Sequence, residues 1–213
     1  MNFNDFCKQV IKIENLPLPG EDSHYKMEPE IRRKWRESNI LDKRRPRKAA
    51  VMALFYPSHQ ELTQLLLILR KSNQGVHSNQ IGFPGGKTEK QDTDLLHTAM
   101  RETYEEVGVP PQAVKVVKEL SELYIPPSNF LVKPFMGLYP KPGPFSVQES
   151  EVEALVEVDL NEFLDERNQI QQKMTTSYAQ DILVPAFKLK GYTVWGATAM
   201  MLNEIKELLH KVL

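Results

Sequence analysis

Residues 85–108 read GGKTEKQDTDLLHTAMRETYEEVG. The last third places Glu102, Glu105 and Glu106 behind Arg101, just downstream of a Gly-Gly loop. Side chains three and four apart share a helix face, so the three carboxylates point one way. Leu96, Ala99, Met100, Thr103 and Val107 fall mainly on the opposite face, toward a core. The pattern predicts a helix over 92–107. Asp92 and Asp94 sit in its first turn, where negative charge suits the dipole, and Gly108 stands as a left-handed C-terminal cap.

Such a face is costly unless something positive offsets it. Two carboxylates 4 Å apart in a cleft repel by roughly 4 kcal/mol at an effective dielectric near 20. Arg101 reaches Glu105 at i+4, which leaves Glu102 and Glu106 uncompensated. Oxygen donors without His or Cys favour a hard divalent cation, Mg²⁺ or Mn²⁺. Pro84 stiffens the preceding chain, and Gly85 and Gly86 leave backbone bare for a ligand or a metal. A cation beside exposed backbone suits a phosphate-bearing substrate.

The bulk of the chain bounds the reading. It has 213 residues, 41% apolar and 26% charged, with net charge −1. This is enough for one sizeable core plus a terminal segment, with no overall field to attract nucleic acid or an anionic membrane. Basic runs at 31–36 (IRRKWR) and 43–48 (KRRPRK) read as a solvated face and a linker. Cys7 is the single cysteine, so no intrachain disulfide forms. There is no apolar leader or membrane-length segment, and the expected location is the cytoplasm.

Around the carboxylate helix, Phe3, Phe6, Val10 and Ile13 predict a short amphipathic helix over 3–14, and 30–38 a second. Residues 16–29 read as a proline-broken loop. Strands are expected at 49–57 and 62–70 as a hairpin, then at 114–124, 129–140 and 152–160, with a last hairpin over 181–196. A short helix after 160 and an amphipathic one after 196 complete the pattern. Short connections between interleaved elements imply a mixed sheet. The expected organisation is an N-terminal helical extension, 1–47, packed on a main domain, 48–213.

The 85–108 stretch resembles the Nudix hydrolase signature: Gly, five residues, Glu, seven residues, then Arg-Glu-aliphatic-any-Glu-Glu-any-Gly-aliphatic. Gly86 matches its opening, and Arg101, Glu102, Glu105, Glu106, Gly108 and Val109 its closing block. Asp92 replaces the usual Glu, eight residues rather than seven separate it from Arg101, and Thr103 replaces an aliphatic residue. The Asp and the longer spacing are similar to the coenzyme A pyrophosphatase branch. An upstream pattern of that branch is half matched: Leu66, Leu67, Arg70, Phe83, Pro84, Gly85 and Gly86 are in register, while Ile68, Lys71, Gly75 and Asn79 depart.

The resemblance implies an α/β/α sandwich around a mixed β-sheet. It implies metal-dependent cleavage of coenzyme A or acyl-CoA to 3′,5′-ADP and 4′-phosphopantetheine. Other diphosphates such as ADP-ribose or a dinucleotide, and a non-catalytic nucleotide-binding module, are the alternatives. Carried over, Glu102 and Glu106 are metal ligands, Glu105 is a third ligand or holds a water, and the Gly86 carbonyl completes the shell. Arg101 orients Glu105 or the loop. The general base is Glu102, Glu105 or a carboxylate of 149–153, Glu151 first. Arg70, Lys71, His77, Phe83, Gly85 and Lys87 are candidates for binding substrate. Tyr124 and Phe130 read as core or as flanks for adenine or pantetheine, and Trp195 as core. Related enzymes are often dimers, and the first helix offers apolar residues for a homodimer contact.

Overall fold

Nine consecutive buried residues, Ala49 to Pro57, explain the centre of the molecule. They belong to strand β1 (Arg47–Pro57), whose apolar run does not alternate with polar residues because both of its faces are covered. The computed structural model describes residues 1–37, 45–72, 79–175 and 181–213. Along β1, Ala49, Val51, Ala53 and Phe55 enter one core cluster and Ala50, Met52, Leu54 and Tyr56 the other. The period-2 geometry of a strand thus divides the interior into two layers about one sheet.

That sheet is mixed. β1 pairs antiparallel with β2 (Thr63–Arg70) and parallel with β7 (Phe130–Leu138). The path runs β3 (Ile81–Gly82), β2, β1, β7, β5 (Lys115–Glu119). Beside it, β4 (Gly85–Lys87) pairs with β1, β6 (Leu123–Ile125) with β7, and β8 (Val152–Asp159) with β2. A separate sheet orders β11 (Tyr192–Trp195), β10 (Ile182–Leu189) and β9 (Gln169–Met174).

Helix α4 (Leu95–Val107) packs Ala99 and Val107 onto one face of the main sheet. On the other face lie α1 (Phe3–Val10), with a following 3₁₀ turn at Ile11–Asn15, and the long α6 (Gly196–His210). Phe6 meets the β1 residue Phe55 with ring centroids 5.0 Å apart. Phe3, Val10, Ile13 and Met27 join that same cluster, so the amino-terminal residues share the core of the main sheet. The apolar face of α1 is therefore turned inward, and Ile11 of the following 3₁₀ turn is exposed. Short helices α3 (Glu30–Glu37) and α5 (Leu160–Leu164) complete the set. The arrangement is the expected α/β/α sandwich around a mixed sheet. No helix among the described residues is long and apolar enough to cross a membrane.

Several elements differ from the sequence expectation. Residues 16–29 are not all loop, because Glu21–Lys26 form helix α2. Its anchors are polar and distant. His24 Nε2 lies 3.2 Å from Glu204, Ser23 Oγ donates to Glu207 at 2.9 Å, and Asn203 donates to the Ser23 carbonyl at 3.0 Å. The 114–124 segment breaks into β5 and β6, since Ser121 leaves the ladder to donate to Glu204 from both N and Oγ. Helix α4 begins at Leu95 rather than 92, with Asp94 as N-cap accepting from His97 N at 2.7 Å.

Candidate active site

Gly108 ends α4 in the left-handed region (φ 76°), as its position in the sequence requires. The helix then carries Glu102 and Glu106 inward, 9% and 1% exposed, and Glu105 outward. The Gly85–Lys87 loop is stitched to β1 as strand β4, with Gly85 opposite Val51 and Gly86 opposite Ala50. A Cβ at Gly85 would sit 2.4 Å from the Ala50 carbonyl, so the strand approaches β1 as only glycine can. A Cβ at Gly86 would sit 2.5 Å from the Glu102 carboxylate. The bare backbone and the carboxylate are in direct apposition.

Two arginines neutralise the glutamates. Arg101 does more than reach Glu105: its Nη1 donates to Glu102 at 3.0 Å and to Glu105 at 2.9 Å. Its Nε and Nη2 fork onto Asp92, and Nη2 also meets the Lys87 carbonyl at 3.1 Å. Asp92 stays outside the helix, fixed by Glu89 N and Thr98 Oγ1, both at 2.9 Å. The Arg101 guanidinium holds the Asp92 carboxyl well below the usual carboxylate range. Glu106, expected to lack a partner, has one in Arg70, whose Nη1 donates to it at 3.0 Å. Arg70 Nη2 donates to the Gly85 carbonyl at 2.7 Å, and Gly85 N donates to Glu106 at 2.7 Å. Arg70 thus braces the carboxylate and the glycine loop together.

Electrostatics mark the same spot. Burial pushes the Glu106 carboxyl up to about 7 against the pull of Arg70 and the Gly85 N–H, and the charges of Glu102 and Glu151 add to the rise. Burial also raises Glu102, with Arg101 opposing and Glu105 and Glu151 assisting. Glu151 therefore sits near both buried glutamates. Glu102 and Glu105 share Arg101 and Glu106 has Arg70, whereas the Glu151 carboxylate has no basic partner among the described residues. The donor set is all oxygen, crowded and negatively charged, which suits a divalent cation. Among the described residues no three His, Cys, Asp or Glu side chains already converge on one point, since the arginines engage the glutamates.

The glycine loop, Arg70 and Glu151 border a cleft of about 750 Å³. Arg70, Phe83, Gly85, Gly86, Lys87 and Glu151 all line it. Phe83 is also core, 1% exposed, with its carbonyl 3.4 Å from Arg70. Lys71 is exposed and ties down the neighbouring segment, donating from Nζ to the Glu149 carbonyl at 2.7 Å and from N to the Glu151 carbonyl at 2.8 Å. Glu149 and Glu153 are exposed. His77 lies outside the described residues. Phe130 lines the cleft, while Tyr124 turns its hydroxyl to Asn129 at 3.0 Å. Trp195, expected in the core, is half-buried on the cleft wall at the start of α6.

The sequence reading missed the Arg70–Glu106 pair, the Asp92 anchor and the cleft residues Arg32 and Arg47. Arg32 comes from the 31–36 basic run and Arg47 from the 43–48 run, whose first two residues lie outside the described set. The available signal was the alternation Arg47, Ala49, Val51 entering β1.

The NUDIX domain family matches residues 46–178, which include β1, the glycine loop and α4. The chain belongs to the Nudix family. It is 34% identical over 150 residues to the uncharacterized Nudix hydrolase NudL of Yersinia enterocolitica, covering 67% of this chain and 72% of that one. It is 32% identical over 169 residues to the chloroplastic Nudix hydrolase 22 of Arabidopsis thaliana, covering 74% of this chain and 54% of that relative. Among solved structures it resembles the Mycobacterium smegmatis Nudix hydrolase RenU in fold, with TM-score 0.54 and 14% identity over 79% of this chain and 88% of that one. The protein is accordingly a Nudix pyrophosphohydrolase.

Proposed function

We propose that the chain hydrolyses the diphosphate of coenzyme A or an acyl-CoA, releasing 3′,5′-ADP and 4′-phosphopantetheine or its acyl form. One observation carries this reading. The Gly85–Gly86 backbone, which lies against the Glu102 carboxylate, lines a cleft together with Arg70, Glu151 and the apolar residues Ala49, Val51 and Val132. That mixture of polar and apolar lining suits a diphosphate that carries a further arm. The Asp92 spacing, similar to the coenzyme A branch, supports the same substrate, since Asp92 holds Arg101 in place.

Glu102, Glu106, the Gly86 carbonyl and, at the rim, Glu105 would hold Mg²⁺ or Mn²⁺. When bound, the cation supplies positive charge to the phosphate oxygens and lowers the pKa of water at the site. Glu151, without a basic partner among the described residues, takes the proton of the attacking water. Arg101 and Arg70 position the glutamates. Gly85 and Phe83 shape the diphosphate pocket, with Lys71 fixing the Glu151 segment. Residues 1–47 act as an extension of the 48–213 domain, docked on α6 through α2.

The test is a substrate panel of CoA, acetyl-CoA, ADP-ribose, NADH and a diadenosine polyphosphate, each with Mg²⁺ and Mn²⁺, with product identification. Release of 3′,5′-ADP from CoA species is the expected result. Turnover of another substrate with none from any CoA species removes the reading.

A further inference from the structure

Two strands lay out the far part of the cleft. In β1, Arg47, Ala49 and Val51 alternate onto one face, and all three line the cleft. Phe130 of β7 lies beside Arg47 in parallel register. On the other side of β1, Lys87 of β4 stands opposite Ala49 and also lines the cleft. Arg47 and Lys87 are therefore diagonal neighbours on one face, roughly 7–8 Å apart at the backbone.

Neither cation has a carboxylate partner among the described residues. The other arginines of the site do: Arg32 has Glu28, Arg70 has Glu106 and Arg101 has Asp92. Yet Arg47 is held in place. Its guanidinium lies 4.1 Å from the Phe130 ring centroid, and Nη2 donates to the Ser128 carbonyl at 3.0 Å. A ring and a carbonyl fix the fork without cancelling its charge, and its remaining donors meet no other partner among the described residues. Two cations on one cleft, uncompensated among the described residues, form an anion subsite with part of its ordering cost already met. At about 3.3 Å per residue, Arg47 lies roughly 10 Å along β1 from Ala50, the residue opposite Gly86. Arg47 thus stands away from the glycine loop, with Lys87 between the two.

We propose that Arg47 and Lys87 bind a phosphomonoester on the nucleotide half of the substrate. A phosphomonoester carries nearly two negative charges at neutral pH, and a planar guanidinium can meet two of its oxygens at once. The inference rests on the coenzyme A reading and sharpens it. The site selects a nucleoside 3′-phosphate 5′-diphosphate over a diphosphate whose ribose carries no phosphate.

The test is calorimetric titration of the wild type, Arg47→Ala and Arg47→Gln with 3′,5′-ADP and with 5′-AMP. The wild type should bind 3′,5′-ADP at least about 10-fold tighter, and both variants should cut that ratio by about 10-fold, as expected for a lost charged hydrogen bond. Arg47→Gln keeps the aliphatic stem, so the comparison survives if the alanine variant misfolds. In turnover, the preference for CoA over dephospho-CoA should fall in the variants through KM rather than kcat. Equal wild-type affinity for the two nucleotides, or a ratio unmoved by both variants, overturns the subsite. A preserved nucleotide preference with no CoA hydrolysis overturns the coenzyme A reading and leaves the subsite standing.

Discussion

Arg101 grips Asp92 through two parallel bonds, Nε to Oδ1 at 2.9 Å and Nη2 to Oδ2 at 3.0 Å. The same guanidinium reaches Glu102 and Glu105, so one side chain links the loop before α4 to the carboxylates upon it. Asp92→Ala would leave Arg101, 10% exposed, without its main partner. Breaking such a buried pair is expected to lower stability by about 2–4 kcal/mol in urea unfolding. Asp92→Asn keeps the shape and should cost less stability while still lowering kcat by about 10-fold or more, because Glu102 loses its fixed donor.

Glu106→Gln retains an acceptor for Gly85 N but removes the charge that Arg70 and a cation share. The variant should fold with a wild-type circular dichroism spectrum and lose about 10²-fold or more in kcat.

Glu151→Gln tests the assignment of the proton acceptor. A loss of about 10²–10⁴-fold in kcat is expected. A kcat within about 10-fold of the wild type would move the role to Glu102 or Glu105.

The two loop glycines should fail differently on substitution. At Gly85 an added Cβ meets backbone, the Ala50 carbonyl at 2.4 Å and the Val51 Cα at 2.6 Å. Gly85→Ala should therefore destabilise by more than about 1 kcal/mol. At Gly86 the atoms nearest the added Cβ belong to the side-chain end of Glu102. Gly86→Ala should keep its melting temperature within a few degrees while Glu102 swings aside and activity drops.

Acid stability should depend on Glu204. Burial would raise this carboxyl, but hydrogen bonds from His24 and Ser121 outweigh it and hold it below its ordinary value of 4.5. A carboxyl depressed in the folded state stabilises above its unfolded pKa and loses that contribution as pH falls through the folded one. Melting temperature should therefore drop as pH is lowered below about 4.5, and Glu204→Gln should flatten that slope.

The legible parts of the sequence were those with local periodicity. The unbroken apolar run of β1 and the hairpin partner β2 announced themselves, as did the glutamate face and Gly108 cap of α4. What escaped was carried by polar contacts between distant residues. Helix α2 is only six residues long and is fixed by Glu204, Glu207 and Asn203, so no apolar pattern marks it. Strand β9, QIQQKM, is polar and pairs with β10 through its backbone. At the site, the glutamates were visible as a cluster, but Arg70 lies 36 residues from Glu106 and spacing could not connect them. The extra residue before Arg101 was visible as a departure from the signature, and its purpose became clear only once Asp92 was seen gripping the guanidinium.

The bond between His24 and Glu204 spans 180 residues. During synthesis His24 emerges 180 residues ahead of its anchor on α6. Residues 20–24 cannot dock until that helix has been made. The cleft wall supplied by Trp195 to Thr198 arrives with that same helix. A nascent chain stalled before residue 196 would already hold Glu102, Glu105, Glu106 and Glu151 and still lack Gly196 to Thr198 of that wall, so the cleft is complete only after α6 has been made.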